Sequence, residues 1–554
     1  MSGTSTSPER RRLPHRRHAT ASAQEHAGIS IRFVTGTCLL SLCSFIWFFS
    51  RHEILLYGDA VAHINIARRV FDCLHPGPLQ LGTVWLPLPH LLMIPFIVNR
   101  QMWMSGWGAS IPSMVAYVLG VIGIYKLVAP RVGNWPALLA SAVYALNPNL
   151  LYLQSTAMTE PIFLATFIWA LLYLDRYLRA LDQHDEHAAT KSLEYCAIAL
   201  AASMLTRYDG WVYSAVFGIV VSIKWWTWRK HNNNPHNPII GRQLRRSLIE
   251  FMTLCALVAG LWLAQNYALS GLPLDFLNGP YSAKAIEARS AAHGLPAHPG
   301  TGSLTTSLLF FLKDAKLNVS SGWLEPLFFF IALLGVGYAA SQFRRFGIFL
   351  LLLLPIPFYA YSIAYGSVPI FIPVWWPHSY YNVRYGIQLL PASAVFIAMA
   401  FYACSTLDKK LLRRPAHAVI VAVLAVSYIH IVQESPISLR EARMNAVTRI
   451  MLENRLASAL RHVPPGSNIL MATTNYVGAL QDTGIPLRRV VWEGVHPEWD
   501  ESLADPAKYA EYVVAFQGDE VWYATRLFPQ HLEKWVEFET PDKPRVTVYR
   551  VEKN

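Results

Sequence analysis

Apolar runs long enough to cross a membrane are the feature of this sequence that most constrains its fold. A helix needs roughly 20 apolar residues to span the hydrocarbon core of a bilayer. Eleven runs meet or approach this length: 31–50, 111–129, 134–153, 160–178, 193–206, 211–228, 249–269, 322–341, 347–365, 385–404 and 417–433. The run at 193–206 is the one short run and is expected to begin a few residues earlier. The sequence therefore predicts a polytopic α-helical membrane protein with about eleven spans.

The segment 84–98 is apolar but is not counted as a span. It is short and contains Pro87, Pro89 and Pro95. Proline inside a helix removes a backbone hydrogen bond and clashes with the preceding turn. A re-entrant or interfacial element is predicted here, since an extra span would also place most basic loops on the outer side.

The basic residues give the orientation of the chain in the membrane. Arginines at 10–17 precede the first apolar run, and no small-residue cleavage site follows it, so the run is predicted to be an uncleaved span. With this end inside, the inner loops hold the Lys and Arg clusters, as the positive-inside rule requires. That bias accounts for the net charge of +12, so nucleic acid is not an expected partner.

Three parts are predicted along the chain. Residues 1–30 form a basic cytoplasmic tail, 31–434 a transmembrane domain with its first external loop at 51–110, and 435–554 an extracytoplasmic α/β domain. An odd number of spans places the C-terminus on the extracytoplasmic side. A multi-pass protein of a bacterial inner (cell) membrane is expected, with the active site on the same extracytoplasmic side. In the last part, strands are predicted at 468–473, 489–492 and 512–516, a helical stretch at 505–510, and a hairpin of 535–538 with 545–551.

Unusual polar clusters at the ends of the spans all fall on the predicted outer face. Asp59 follows the first span, Glu160 opens the fourth, Arg207 and Asp209 lie between the fifth and sixth, and Arg384 precedes the tenth. Structural polar residues would be distributed over both faces. The one-sided distribution therefore predicts a single active site at the outer membrane boundary.

Each of these residues also has a purely structural interpretation. Asp59 shares a helix face with His63 and is equally well explained as an N-cap. Glu160 begins a helix, where a carboxylate often serves only the helix dipole. Arg384 is either a clamp for phosphate oxygens or an arginine reaching to the interface. Arg207 and Asp209 are expected to pair across a tight turn.

Metal and nucleotide sites have little support in the sequence. His63 and His378 are more typical of interfacial histidines than of metal ligands, because no spacing of His, Cys and carboxylates fits a metal centre. No cofactor is predicted with certainty, and dependence on a divalent metal ion stays open. A soluble nucleotide donor has no Gly-rich phosphate loop to bind to.

Three short motifs resemble those of the C-type (GT-C) glycosyltransferase superfamily. They are Gly58-Asp59-Ala60 with a helix ending Ala67-Arg68-Arg69, Met158-Thr159-Glu160-Pro161, and Arg384-Tyr385 followed by Leu389-Leu390-Pro391. Within that superfamily they are most similar to motifs of the branch that contains the protein O-mannosyltransferases and the aminoarabinose–lipid A transferases. The likeness covers about residues 31–434.

The resemblance implies a lipid-embedded enzyme with a polyprenyl-phosphate-linked sugar donor and inversion at the anomeric carbon. Asp59 would be the general base, Arg384 with Arg207 would stabilise the departing phosphate, and Glu160 would position acceptor or sugar. The substrate-binding candidates are His63, Arg207, Asp209, His378, Tyr381, Arg384 and Tyr385.

The acceptor, whether glycan, lipid or protein, is left open. Ala60 stands where protein O-mannosyltransferases usually have Glu, which argues against a protein acceptor. Pro377 follows Trp375-Trp376 where oligosaccharyltransferases have Asp, so transfer of a whole oligosaccharide is not expected. The alternative function is a multi-pass transporter of a lipid-linked or small solute, which predicts repeat symmetry and helices broken at the midplane.

Overall fold

A computed structural model describes residues 29–231, 238–292, 294, 296–407 and 410–552. The predicted basic tail at 1–30 lies outside the described residues, except for its last two positions. The helices are Ile31–Ser50, Gly58–Arg69, Leu88–Ile97, Arg100–Met104, Trp107–Val132, Asn134–Ala145, Pro148–Leu153, Glu160–Asp182, Glu186–Met204, Asp209–His231, Pro238–Ser270, Asp275–Asn278, Ala283–Ala292, Leu304–Val319, Glu325–Ser341, Phe343–Phe346, Pro355–Tyr365, Leu390–Ser405, Lys410–Glu434, Ile437–Leu460, Gly478–Thr483, Glu498–Ala504 and Glu520–Leu527. Shorter 3-10 helices occupy Pro78–Leu81, Gly322–Leu324, Gly347–Leu353, Val383–Leu389 and Leu487–Arg489.

All eleven apolar runs fall on helices, and the run expected to begin early starts at Glu186. Within the described residues, eight helices are both long and apolar enough to cross a membrane. The run 134–153 is divided into two shorter helices. Asn147 adopts an extended backbone before Pro148, and its side chain accepts a hydrogen bond from the Leu150 amide (3.0 Å). The break therefore follows from a proline preceded by a capping asparagine.

The segment predicted to be re-entrant or interfacial contains the ten-residue helix Leu88–Ile97. At 1.5 Å per residue this helix is about 15 Å long, which is shorter than the hydrocarbon core. Pro95 lies inside it.

A 3-10 turn, Val383–Leu389, carries Arg384 at the start of a span. The Leu304–Val319 helix packs directly on this turn, and Asn318 Nδ2 donates to the Val383 carbonyl (2.6 Å). Gly386 permits the approach, because a Cβ there would lie 2.6 Å from the Asp314 carbonyl. The backbone around Arg384 is thus fixed by close packing rather than by the bilayer.

The C-terminal part is built on a five-stranded mixed sheet. The strands are β1 Ile469–Met471, β2 Val490–Val491, β3 Tyr512–Phe516, β4 Leu532–Phe538 and β5 Val546–Val551. Their order in the sheet is β2-β1-β3-β5-β4. β1 pairs in parallel with β2 and β3, and β5 pairs antiparallel with β3 and β4. The predicted strands and hairpin are therefore present.

The helical stretch predicted at 505–510 is wrong. The helix is Glu498–Ala504 and ends at Asp505, whose backbone is extended (φ −148°, ψ 91°). Pro506 follows, and proline disfavours helical geometry in the residue before it. Asp505 Oδ1 instead accepts from the Ala507 amide (3.1 Å), which closes a turn.

The C-terminal part holds the Gly58–Arg69 helix in place at one end of the helix bundle. Arg449 donates to the carbonyls of Leu55 (2.9 Å) and Leu56 (3.0 Å), just before that helix. Asn65, on the helix itself, donates to Gln481 Oε1 (2.7 Å). We call this end of the bundle the domain end.

Asp519 is a partly buried carboxyl within the C-terminal part. Its Oδ1 caps the Glu520–Leu527 helix by accepting from the Trp522 amide (2.6 Å), whereas its Oδ2 is buried without a partner among the described residues. Burial, only partly opposed by this backbone hydrogen bond, raises the pKa of Asp519 to about 7.

A carboxyl whose pKa is higher in the folded than in the unfolded chain makes the fold less stable as the pH rises. Wild-type stability should therefore fall between about pH 4 and pH 7 because of this group, with no further loss above that range. Asp519→Asn retains a capping oxygen and should raise the thermal unfolding midpoint at pH 8 more than at pH 5. The exposed Asp542→Asn is the matched control, and an equal effect of both variants would contradict the assignment.

Candidate active site

Charged side chains from five separate segments meet at the domain end of the bundle. The segments are the helices beginning at Gly58, Glu160 and Ile437, the turn before the Asp209 helix, and the 3-10 turn at Val383. Arg384 and Arg207 are the two cations of this group, which we call the ion network. It contains every Asp, Glu and Arg that the sequence predicted for the site, which are Asp59, Glu160, Arg207, Asp209 and Arg384.

Arg384 contacts three carboxylates. Its guanidinium donates to Asp59 Oδ2 in a short contact, and its Nε donates to Glu160 Oε1 (3.2 Å). Glu441 Oε1 lies 3.7 Å from its third nitrogen. Arg384 is therefore the centre of the network.

Arg207 joins the network through the same glutamate. Its Nη1 lies 3.2 Å from Glu160 Oε1, and its Nε lies 3.4 Å from Asp209 Oδ1. Arg207 Nη2 also donates to the Tyr359 hydroxyl (3.0 Å), which in turn donates to Asp209 Oδ2 (2.7 Å). The predicted pairing of Arg207 with Asp209 is present, and a single oxygen of Glu160 bridges both arginines.

Aromatic rings hold the two guanidinium groups in position. The Tyr385 ring centroid lies 4.6 Å from the Arg207 guanidinium carbon and 5.1 Å from that of Arg384. Tyr57 packs on Arg384 at 5.1 Å, and its hydroxyl donates to Glu441 Oε2 (2.8 Å). Cation–π contacts of this kind strengthen when water is excluded.

The network has one open side. Glu160 is completely buried, and the Arg384 side chain is only 7% exposed. The Asp59 side chain, by contrast, is 40% exposed. Asp59 is therefore the carboxylate of the network that an external molecule reaches.

Asp59 is not a helix cap. The helix begins at Gly58 with Tyr57 at the N-cap position, and Asp59 lies in the first turn, where its side chain is directed to Arg384. The N-cap interpretation is therefore wrong. Glu160 does lie in the first turn of its helix, but its partners are two arginines as well as the helix dipole.

The remaining candidates, Tyr381, His63 and His378, differ in how close they lie to the ion network. Tyr381 borders the site, and partial burial together with the Asp59 carboxylate raises the pKa of its phenol to about 12. His63 is buried and bonds to His90 rather than to the ion network. His378 is exposed, and its Nδ1 lies 3.0 Å from the Pro373 carbonyl, so the structure does not bring it to the network.

Glu441, Tyr57 and Tyr359 belong to the site but were not predicted from the sequence. Glu441 is 1% exposed, although it lies in a helix rich in charged residues. Its position soon after the last apolar run, on the predicted outer side, is the one signal that identifies it. Tyr359 lies within an apolar run, where a tyrosine is not distinctive.

Among the described residues, no group of three or more His, Cys, Asp or Glu is arranged to hold a metal ion. The carboxylates of the network instead face arginines. The arrangement can bind an anion at the arginines and accept a proton at Asp59.

Two solved structures with TM-scores above 0.5 match nearly the whole chain. ArnT from Cupriavidus metallidurans in the apo state is 11% identical, with a TM-score of 0.59, covering 93% of this chain and 97% of that one. The same protein bound to undecaprenyl phosphate is 12% identical, with a TM-score of 0.55, covering 94% and 98%. At this identity the likeness shows the fold.

A family model also matches part of the chain. The family is described as dolichyl-phosphate-mannose-protein mannosyltransferase, and residues 91–237 match. No curated protein matches the sequence. The resemblance to the GT-C superfamily is confirmed, and the chain is a multi-pass membrane protein with the GT-C fold.

Removing the charge of Glu160 should destabilise the protein, because two buried guanidinium groups lose their shared anion. Breaking a buried ion pair on one side costs about 3–5 kcal/mol, whereas an exposed pair contributes about 0–1 kcal/mol. Glu160→Gln should thus lower the thermal unfolding midpoint strongly. Glu250→Gln, which breaks an exposed pair with Arg246, is the control; similar midpoints for the two variants would show that Glu160 has no such role.

Proposed function

We propose that the protein is an inverting membrane glycosyltransferase that transfers a monosaccharide from a polyprenyl-phosphate donor to an acceptor hydroxyl on the extracytoplasmic face. Asp59 is the general base, and Arg384 with Arg207 binds the phosphate. Glu160 holds the two arginines in place, since it is fully buried between them. Asp209 and Tyr359 orient Arg207 from its other side.

The proposal depends above all on one observation, which is the contact of a half-exposed Asp59 with a buried Arg384. A base that serves the acceptor and a cation that serves the leaving phosphate act on opposite sides of one anomeric carbon, so both must belong to a single small site. The exposed side of Asp59 leaves room for an acceptor hydroxyl. Arginine is suited to the phosphate because its planar fork donates to two oxygens at once.

In the proposed reaction the acceptor oxygen attacks the anomeric carbon of the donor sugar. The new C–O bond forms as the bond from that carbon to the phosphate oxygen breaks, and the electron pair leaves with the polyprenyl phosphate. The proton of the acceptor hydroxyl passes to the Asp59 carboxylate. Arg384 and Arg207 stabilise the charge that the phosphate gains. Attack opposite the leaving group inverts the anomeric carbon.

The comparisons support this assignment. The matching ArnT structure has undecaprenyl phosphate bound, and the matching family is described by a dolichyl-phosphate sugar donor. The matched segment 91–237 includes Glu160, Arg207 and Asp209. A mannosyltransferase family favours transfer over the transporter alternative.

Asp59→Asn should reduce sugar transfer by roughly 10²–10⁴-fold, the usual contribution of a general base. Binding of the polyprenyl-phosphate product should not weaken, because Asn no longer competes with phosphate for Arg384. The measurements are incorporation of labelled sugar from a polyprenyl-phosphate donor and binding of polyprenyl phosphate by the purified protein.

Asp542→Asn, at an exposed position of the C-terminal part, serves as the matched control. Equal consumption of the donor by wild type and Asp59→Asn would remove Asp59 from the role of base. Failure of the wild type to consume any polyprenyl-phosphate sugar would overturn the function itself.

The proposed extracytoplasmic site can be tested by labelling single cysteines in a cysteine-free background. Ser379→Cys, in the loop before the Arg384 turn, and Asp542→Cys should react with an impermeant reagent in intact cells. Gln183→Cys, in an exposed loop after the Glu160–Asp182 helix, should react only after permeabilisation. Labelling of all three in intact cells, or of Gln183→Cys alone, would contradict the predicted orientation.

A further inference from the structure

Two buried histidines lie beside the ion network and are bonded to each other. His63 Nδ1 and His90 Nε2 are 2.9 Å apart, which is hydrogen-bonding distance. His63 is 3% exposed and His90 is fully buried. Trp85 covers the His63 ring, with the two ring centroids 4.6 Å apart. The sequence identified His63 as a candidate but gave no role to His90.

Both rings are held neutral. Burial is the main cause, and the positive charges of Arg384 and Arg207 add to it, so that the pKa of His63 is lowered to about 3. Burial and the neighbouring His63 lower the pKa of His90 as well. Each neutral ring carries one N–H, and of the two facing nitrogens, His63 Nδ1 and His90 Nε2, one donates and the other accepts. The direction of the hydrogen bond depends on which of these two nitrogens carries a proton.

The surroundings of His90 decide that direction. His90 Nδ1 is buried and has no partner among the described residues. If His63 donated, neutral His90 would carry its proton on Nδ1, as a buried N–H with no acceptor. Such orphaned N–H groups are rare, since they lose a full hydrogen bond to water. His90 therefore donates from Nε2, and His63 accepts at Nδ1.

This arrangement leaves the proton of His63 on Nε2. That nitrogen has no hydrogen-bond partner in the described part of the chain, yet it is not among the fully buried polar atoms. His63 lies one helical turn after Asp59 on the same face. Asp59 contacts Arg384, so His63 shares the helix face that is directed to the ion network.

We propose that His90 positions His63 as a neutral donor whose Nε2–H bonds to a phosphate oxygen of the sugar donor. The inference rests on the proposed function and adds to it a third phosphate contact beside the two arginines. His63 neither gains nor loses a proton in the reaction. Its hydrogen bond strengthens as the phosphate gains charge, so it acts mainly on kcat. His90 is a positioning residue.

The identity of the donor atom is tested by replacing His63. Glutamine places an amide N–H close to the position of Nε2, whereas asparagine places it close to Nδ1 and leucine supplies none. Loss of one such donor typically lowers kcat by about 10²-fold. His63→Leu and His63→Asn should show that loss with a nearly unchanged KM for the donor, and His63→Gln should stay within about tenfold of wild type.

His90 is tested in the same way. His90→Leu should lower kcat by about tenfold or more, and His90→Gln, which can still donate to His63, should recover most of that loss. The exposed His462→Leu controls for loss of a histidine. All rates are compared per folded protein, and if the leucine variants do not fold, the glutamine and asparagine variants of His63 decide.

Two results would overturn the inference. The first is a wild-type kcat in folded His63→Leu or His63→Asn. The second is a loss of kcat in the glutamine variant that equals the loss in the leucine or asparagine variant. Failure of the proposed function is recognised separately, because wild type would then transfer no sugar. In that case binding of polyprenyl phosphate alone decides. Affinity about tenfold lower in His63→Asn than in His63→Gln supports the contact, and equal affinities contradict it.

Discussion

The bridge of Glu160 between two arginines is the interaction on which the site depends. Its carboxylate is completely buried, and a buried charge is tolerated only where partners compensate the loss of water. Arg207 and Arg384 supply that compensation, and each in turn needs further anions: Asp209 for the first, Asp59 and Glu441 for the second. One requirement for charge balance thereby connects five segments that are distant in sequence. The bundle is tied together at the end where its helices meet the C-terminal part.

The C-terminal part contributes to the site by restraint as well as by residues. Glu441 comes from the long helix that precedes β1, and Arg449 of the same helix bonds to the carbonyls just before the Gly58–Arg69 helix. Asp59 and His63 lie on that short helix, which is not long enough to be fixed by the membrane. Its position relative to Arg384 therefore depends on contacts made by residues more than 380 positions away.

Sequence reasoning succeeded where a single physical rule acts locally. Length and apolarity located the helices of the bundle, short buried runs located β1, β2 and β3, and alternation located the β4–β5 hairpin. All of these patterns follow from burial within one element. The one-sided distribution of Asp59, Glu160, Arg207, Asp209 and Arg384 predicted their convergence. Glu441 was missed because a buried Glu in a polar helix has the same local pattern as an exposed one. His378 lies outside the ion network, because its own positive φ and its bond to the Pro373 carbonyl set the direction of its side chain.

The contact between Asp59 and Arg384 has a consequence for the order of events in the proposed reaction. Without substrate, Asp59 occupies the outermost anion position on Arg384, while Glu160 and Glu441 occupy the inner ones. A donor phosphate approaching from the open side meets Asp59 first, since the inner carboxylates are buried. The donor phosphodiester, like a carboxylate, presents two charged oxygens to the guanidinium fork, so it can take the outer position that Asp59 holds on Arg384. Asp59 is then free to accept a proton only when the leaving group is already bound. A base controlled in this way disfavours proton transfer from an acceptor or water before the donor is in place.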